Sequence, residues 1–250
     1  MTEPDSGGLL GSLIRAGNSV LDFFYPPRCP ACGAYVEVRG GWCPECLAHI
    51  CHPQQLPLAA GTRRYIDAAY ALAAYRGGLR ELIWALKFQH RRSVLPYIAT
   101  LLATGAGQEP LQGLLAGLAQ AQAAAVPVPL HASREKERGY NQTRLIFMDW
   151  LATHGIPLYD VLQRLRRTKP MYRLSAVERR QNIKGALGIR PGAEMVRGRH
   201  ILLVDDIFTT GATLTECARV LHQAGVRSVT VLVLASDHHG ETDHYFSGKI

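Results

Sequence analysis

A chain of 250 residues, 47% hydrophobic and 19% charged, has room for one α/β domain and a small appendage. No apolar run approaches the roughly eighteen residues needed to span a bilayer. Residues 9–24, broken by Gly11, Arg15, Gly17, Asn18 and Asp22, do not make a secretory leader, so a cytoplasmic chain without membrane insertion is expected. The net charge of +8 is concentrated: residues 126–190 hold 13 Lys and Arg against 5 Asp and Glu, and the remainder balances. A basic field of this kind attracts polyanions, either a diphosphate-bearing nucleotide sugar or nucleic acid.

In chain order, residues 1–8 are polar and Gly-rich and read as disordered. Residues 9–24 read as an amphipathic helix stopped by Pro26 and Pro27. Two Cys-x-x-Cys knuckles follow, Cys29 with Cys32 and Cys43 with Cys46, with glycines at 33, 40 and 41 for the turns. Four thiolates so arranged suit a tetrahedral, closed, structural zinc. Such a site can supply on the order of 10 kcal/mol to a segment with almost no core. Two disulfides are the competing reading, disfavoured in a cytoplasmic chain. His49, Cys51 and His52 lie near enough in sequence to replace a ligand. Residues 53–64 read as a linker, 68–75 as a strand, and 79–88 as a helix whose Lys87 either enters the site or faces solvent, as a Lys on an amphipathic helix commonly does. Residues 95–106 form a second helix, and 105–125 read as helix plus loop.

Residues 126–130 read as a short strand entering a polar loop over 131–138. Arg134, Lys136 and Arg138, followed by Asn141 and Gln142, bring cations and amides to one place. Their chemical use is to grip a diphosphate or nucleic-acid phosphates. Tyr140 and Tyr172 lie among these cations and offer rings for base stacking. Residues 141–154 read as a helix with Leu145, Met148 and Leu151 toward the core. Residues 158–165 read as a strand. Residues 166–182 read as a mobile loop, with a short helix from Ala176, able to close over a site. Strands at 199–204 and 228–235 flank a helix over 214–224 whose apolar face carries Leu214, Cys217, Ala218 and Leu221. This alternation predicts an α/β fold with a doubly wound, mostly parallel sheet, whose ligands sit at the carboxyl ends of its strands. The expected organisation is a tail and helix over residues 1–25, a zinc ribbon over 26–52, and the α/β domain over 65–240.

The most informative stretch is 201–213, ILLVDDIFTTGAT. A buried strand leads into Asp205 and Asp206, then into Thr209, Thr210, Gly211, Ala212 and Thr213, and then into a helix. Backbone N–H groups at such a turn, with the helix dipole behind them, hold an anion. The carboxylates accept hydrogen bonds from sugar hydroxyls. Adjacent aspartates repel each other unless something binds them. A phosphate cradle beside sugar-binding acids suits a ribose 5-phosphate.

This stretch resembles the phosphoribosyl-diphosphate (PRPP) signature of type I phosphoribosyltransferases. In that resemblance the two acids hold the ribose 2- and 3-hydroxyls and the TTGAT loop holds the 5-phosphate. With PPRCPAC…CPEC, LRELIWALKF, VPVPL…RGYNQ and LSAVERRQNIKGAL, the chain resembles the ComF family over most of residues 26–235. The resemblance implies a type I phosphoribosyltransferase fold with an N-terminal zinc ribbon, and a role in natural transformation for some members. It also implies PRPP with magnesium as ligand and pentosyl transfer to an unnamed acceptor. A non-catalytic single-stranded-DNA-binding factor with PRPP as effector stays open beside it, as do DNA-uptake or helicase proteins as partners. Met171 and Leu187 depart from the family pattern, which has Gln and an aromatic there.

Overall fold

The computed structural model describes residues 25–168 and 175–237. The helix read over residues 9–24, the tail over 1–8, and Met171 and Tyr172 lie outside the described residues. In chain order the elements are α1 (Pro44–Ile50), β1 (Cys51–Gln55), α2 (Ala60–Arg63), β2 (Ala68–Ala74), α3 (Gly77–Phe88), α4 (Leu95–Ala106) and α5 (Leu111–Gln120). Then come β3 (Ala124–Pro127), α6 (Ala132–Arg138), α7 (Gln142–Thr153), β4 (Leu162–Arg164), α8 (Ala176–Ile183), β5 (Leu187–Ile189), β6 (His200–Phe208), α9 (Ala212–Gln223) and β7 (Ser228–Ser236). Among the described residues no helix is long and apolar enough to cross a membrane.

Five strands form one sheet in the order β1-β2-β7-β6-β3. The pairs β2–β7, β7–β6 and β6–β3 are parallel, and β1 joins β2 antiparallel. β4 and β5 make a separate antiparallel ribbon. The central strands read as unbroken apolar runs because both faces are covered. On β6, Leu202 and Val204 enter a core shared with α3, α4, α5 and α7. Ile201 and Leu203 enter a second core with α9 and the β4–β5 ribbon. The expected doubly wound, mostly parallel sheet is thus present.

The cysteine-rich segment packs as part of the first core and does not hang from it. Cys29, Val36, Trp42 and Ile50 are buried together with Leu79, Leu82 and Ile98. Trp42 Nε1 donates to the Tyr97 carbonyl at 2.9 Å, and Thr100 Oγ1 donates to the Gly40 carbonyl at 2.9 Å. Gly78 at the start of α3 allows this approach: a Cβ there would stand 2.7 Å from the Pro30 carbonyl oxygen. The reading of a segment with almost no core is corrected accordingly.

Several local expectations differ from what folds. Residues 53–64 contain the end of β1 and the α2 turn rather than a linker. The strand expected at 126–130 is shifted to Ala124–Pro127. Of residues 131–138, Ala132–Arg138 form α6 behind an N-capping His131, a helix with no buried residue and so with no apolar period to announce it. α7 buries Ile146, Phe147, Trp150 and Leu151, while Met148 is 39% exposed. Asn141 starts α7, its Oδ1 accepting from the N–H groups of Thr143 and Arg144. α8 starts on a reciprocal Ser175–Glu178 cap.

Candidate functional site

β6 runs on through both aspartates to Phe208, so the pair lies inside the strand rather than at its end. The chain then turns at Gly211, with φ +69°, into α9. A Cβ at Gly211 would stand 3.1 Å from the Phe208 ring, and the positive φ favours glycine in any case. Asp205, Ile207, Leu214, the 209–213 turn and Arg179 of α8 line one pocket. The sequence-expected acid and phosphate loop are therefore together. Arg179 joins them from the segment read as a mobile loop, whose neck is closed by Arg166 donating to the carbonyls of Asn182 and Lys184 at 3.0 Å.

The two acids have different surroundings. Successive strand residues alternate faces, and Asp206 points into the first core. It is 4% exposed, with Lys87 Nζ donating to Oδ1 at 2.8 Å and Gln142 Nε2 donating to Oδ2 at 2.9 Å. Of the two readings of Lys87, entry to the site and exposure to solvent, the first holds: it reaches Asp206 from α3. Asp205 Oδ1 accepts from Thr143 Oγ1 at 3.2 Å and from the Asp206 N–H at 2.8 Å. Burial, and then the neighbouring Asp206, push the Asp205 carboxyl up to about 7.

The basic segment divides similarly. Lys136 is exposed and Arg134 half-buried. Arg138 donates to Gln142 Oε1 at 2.8 Å. Asn141 is buried, its Nδ2 donating to the Val128 carbonyl at 3.1 Å. Asn141 and Gln142, expected as diphosphate or nucleic-acid contacts, have their side chains engaged within the fold. Tyr140 is also buried, its hydroxyl donating to the Leu86 carbonyl at 2.7 Å, and is not open to a base. Arg164 on β4 is a cation the motif reading missed. It donates to the Pro129 carbonyl at 3.0 Å and to Thr168 Oγ1 at 2.6 Å, both neutral acceptors. Burial pulls its pKa down, opposed by Cys217 and Asp205 nearby. A lone Arg in a short strand carries no sequence signal. Its partners are known only once β4 is placed.

At the other end, the Sγ atoms of Cys29, Cys32, Cys43 and Cys46 all lie within 4.8 Å of one another, with Cys32 and Cys43 3.6 Å apart. Tetrahedral zinc at ~2.3 Å sets sulfurs slightly under 4 Å apart, so the set fits that ion in a closed, structural site. Cys51 is excluded from it: its thiol is buried against the Leu101 carbonyl at 3.8 Å. Among the described residues this is the one His/Cys/Asp/Glu group able to hold a metal ion.

Comparison with known proteins is consistent with both halves. The family model for the phosphoribosyl transferase domain matches residues 151–249, and that for the double zinc ribbon domain matches residues 20–58. Competence protein F of Haemophilus influenzae is 30% identical over 210 residues, 84% of either chain. DNA utilization protein YhgH of Salmonella typhimurium is 30% identical over 82% of this chain and 88% of that one. Competence protein ComFC of Bacillus subtilis is 33% identical over 40% of this chain and 38% of its own. Among solved structures, adenine phosphoribosyltransferase from Leishmania tarentolae aligns over 74% of this chain and 95% of that one, at 12% identity and a TM-score of 0.37.

Proposed function

Because the chain belongs to the ComF family of competence and DNA utilization proteins, we propose that it binds PRPP at the carboxyl end of β6 and uses it in handling DNA. The observation that carries this reading is the single pocket shared by Asp205, the 209–213 turn and Arg179. Thr209, Thr210, Gly211, Ala212 and Thr213 hold the 5-phosphate on backbone N–H groups at the start of a 12-residue helix. Asp205 accepts from the ribose hydroxyls. Asp206, locked by Lys87 and Gln142, fixes the strand and Asp205 with it.

The diphosphate meets Arg134, Lys136, Arg138 and Arg164, while Asn141 and Gln142 position α7 and Arg138. In transfer, the bond from C1 to the diphosphate oxygen breaks with its electrons leaving on the diphosphate. A nitrogen lone pair of the acceptor then forms the new bond to C1. Cations placed where that negative charge gathers lower the barrier. Magnesium travelling with PRPP would neutralise part of the same charge. The cysteine set holds zinc that braces the fold.

Calorimetry with PRPP and magnesium tests the reading. One site per chain is expected, lost in the Asp205→Asn/Asp206→Asn double variant. Unchanged affinity in a folded double variant would make the ribose assignment wrong. Diphosphate release across candidate amines and bases then separates turnover from binding alone.

A further inference from the structure

α3 carries a feature that the ribose site leaves unused. Arg80, Trp84 and Phe88 follow one another at i, i+4 and i+8 along its outer line. Trp84 is 51% and Phe88 53% exposed, whereas Trp42 and Trp150 are 6% and 9% exposed. The Trp84 and Phe88 rings stand 5.8 Å apart at 42°. One cation lies against the pair and others lie close by in sequence. The Arg138 guanidinium lies 5.7 Å from the Phe88 ring centre, that of Arg92 lies 4.7 Å from the Tyr140 ring, and Arg91, just before Arg92, is exposed. Glu81 is the single acid from Arg80 to Arg92. The patch adjoins the ribose site by direct contacts. Phe88 meets Arg138, Arg138 meets Gln142, and Gln142 meets Asp206, while Lys87 beside Phe88 reaches the same carboxylate.

We propose that the Trp84–Phe88 face of α3, edged by Arg80, Arg91, Arg92 and Arg138, is a stacking platform for the unpaired bases of a single nucleic-acid strand. Every base has a π-face, so aromatic side chains hold bases without regard to sequence. Guanidinium groups beside the rings meet the phosphates that the same strand carries. A duplex hides its base faces and is a poor occupant. Net positive charge around two exposed rings matches a polyanion with aromatic groups better than an apolar peptide. Of the two rings that sequence reasoning offered to bases, Tyr140 is buried and does not fill this role, and Tyr172 lies outside the described residues. That a bound strand delivers a base to the ribose site rests on the PRPP reading; the platform itself does not.

The chain's own fluorescence reads the contact, since Trp84 is the exposed one of its three tryptophans. An oligothymidylate of about 20 nucleotides, spanning one or two typical sites, is titrated at low salt. Quenching is expected, with log affinity falling against log salt by about 0.7 for each phosphate met. Trp84→Ala removes the quenching and, followed by strand anisotropy, weakens binding about tenfold or more. Phe88→Leu weakens it similarly, and Trp84→Phe retains most of it. PRPP binding by calorimetry stays unchanged in Trp84→Ala, and strand binding persists in Asp205→Asn, so either reading can fail alone. Equal strand affinity in wild type and Trp84→Ala, or no strand binding at low salt, overturns the proposal. So does self-association of the wild type that Trp84→Ala abolishes, because a second copy would then cover the face.

Discussion

Asp205→Asn separates what the carboxylate does for the ligand from what it costs the fold. In the native chain its carboxyl is pushed up to about 7 by burial and by Asp206, against about 3.9 in an unfolded chain. Between those values the unfolded state has released the proton and the native state still holds it, so stability falls as pH rises and levels off above 7. From pH 5 to pH 8 about two pH units of that window are crossed, or about 3 kcal/mol at ~1.36 kcal/mol per unit. The Asn variant keeps an oxygen to accept from Thr143 and from the Asp206 N–H but carries no charge. Urea unfolding of both proteins at pH 5, 6, 7 and 8 reads the difference, in which titrating groups remote from Asp205 cancel. The variant should gain on the wild type by about 3 kcal/mol over that range. It should lose PRPP affinity, most at high pH where the wild-type carboxylate is charged. Parallel stability profiles would refute the placing of Asp205 in a desolvated site beside a second carboxylate.

Lys87→Met leaves Asp206 buried with Gln142 as its remaining side-chain partner; a loss of about 3 kcal/mol by urea unfolding is expected, with weaker PRPP binding by calorimetry. Gly78→Ala drives a Cβ into the Pro30 backbone, which cannot rotate away, and should lower stability by about 1–3 kcal/mol. Metal analysis should give one zinc per chain, and Cys32→Ser, at the exposed ligand, should release it to a colorimetric chelator more readily. Because the ribbon shares a core with α3 and α4, near-ultraviolet circular dichroism of Trp42 should change as the metal leaves.

The parts of the fold legible in the sequence are those written in short-range pattern. β6, the Gly211 turn and the apolar face of α9 lie within 24 residues, and Leu214, Cys217, Ala218 and Leu221 are all buried as their spacing requires. The knuckles were equally plain, since metal ligands must recur at close spacing. What was hidden depends on long-range contact. Lys87 and Asp206 are 119 residues apart, and a Lys on an amphipathic helix has the same local signature whether it meets water or a carboxylate. α6 gave no signal because a helix that buries nothing has no apolar period. Tyr140 and Gln142 looked like ligands because polar residues beside cations do, and only long-range packing, of Tyr140 on the Leu86 carbonyl of α3 and of Gln142 on Asp206 of β6, reveals that their polar atoms are spent inside the fold.

Both margins of the main sheet are closed to further strands. β1 carries Pro53 and an irregular register between Cys51 and Gln54, so its outer rim offers a broken row of N–H groups. β3 ends in Pro127, and its free rim is taken by residues 157–159, with Ala125 donating to the Pro157 carbonyl and Tyr159 donating to Ala125. Among the described residues, backbone-to-backbone recruitment, the route by which sheets aggregate or swap segments, finds a poor template at either margin of this sheet. Contacts made at this sheet's margins fall instead to side chains, where specificity can be tuned one residue at a time.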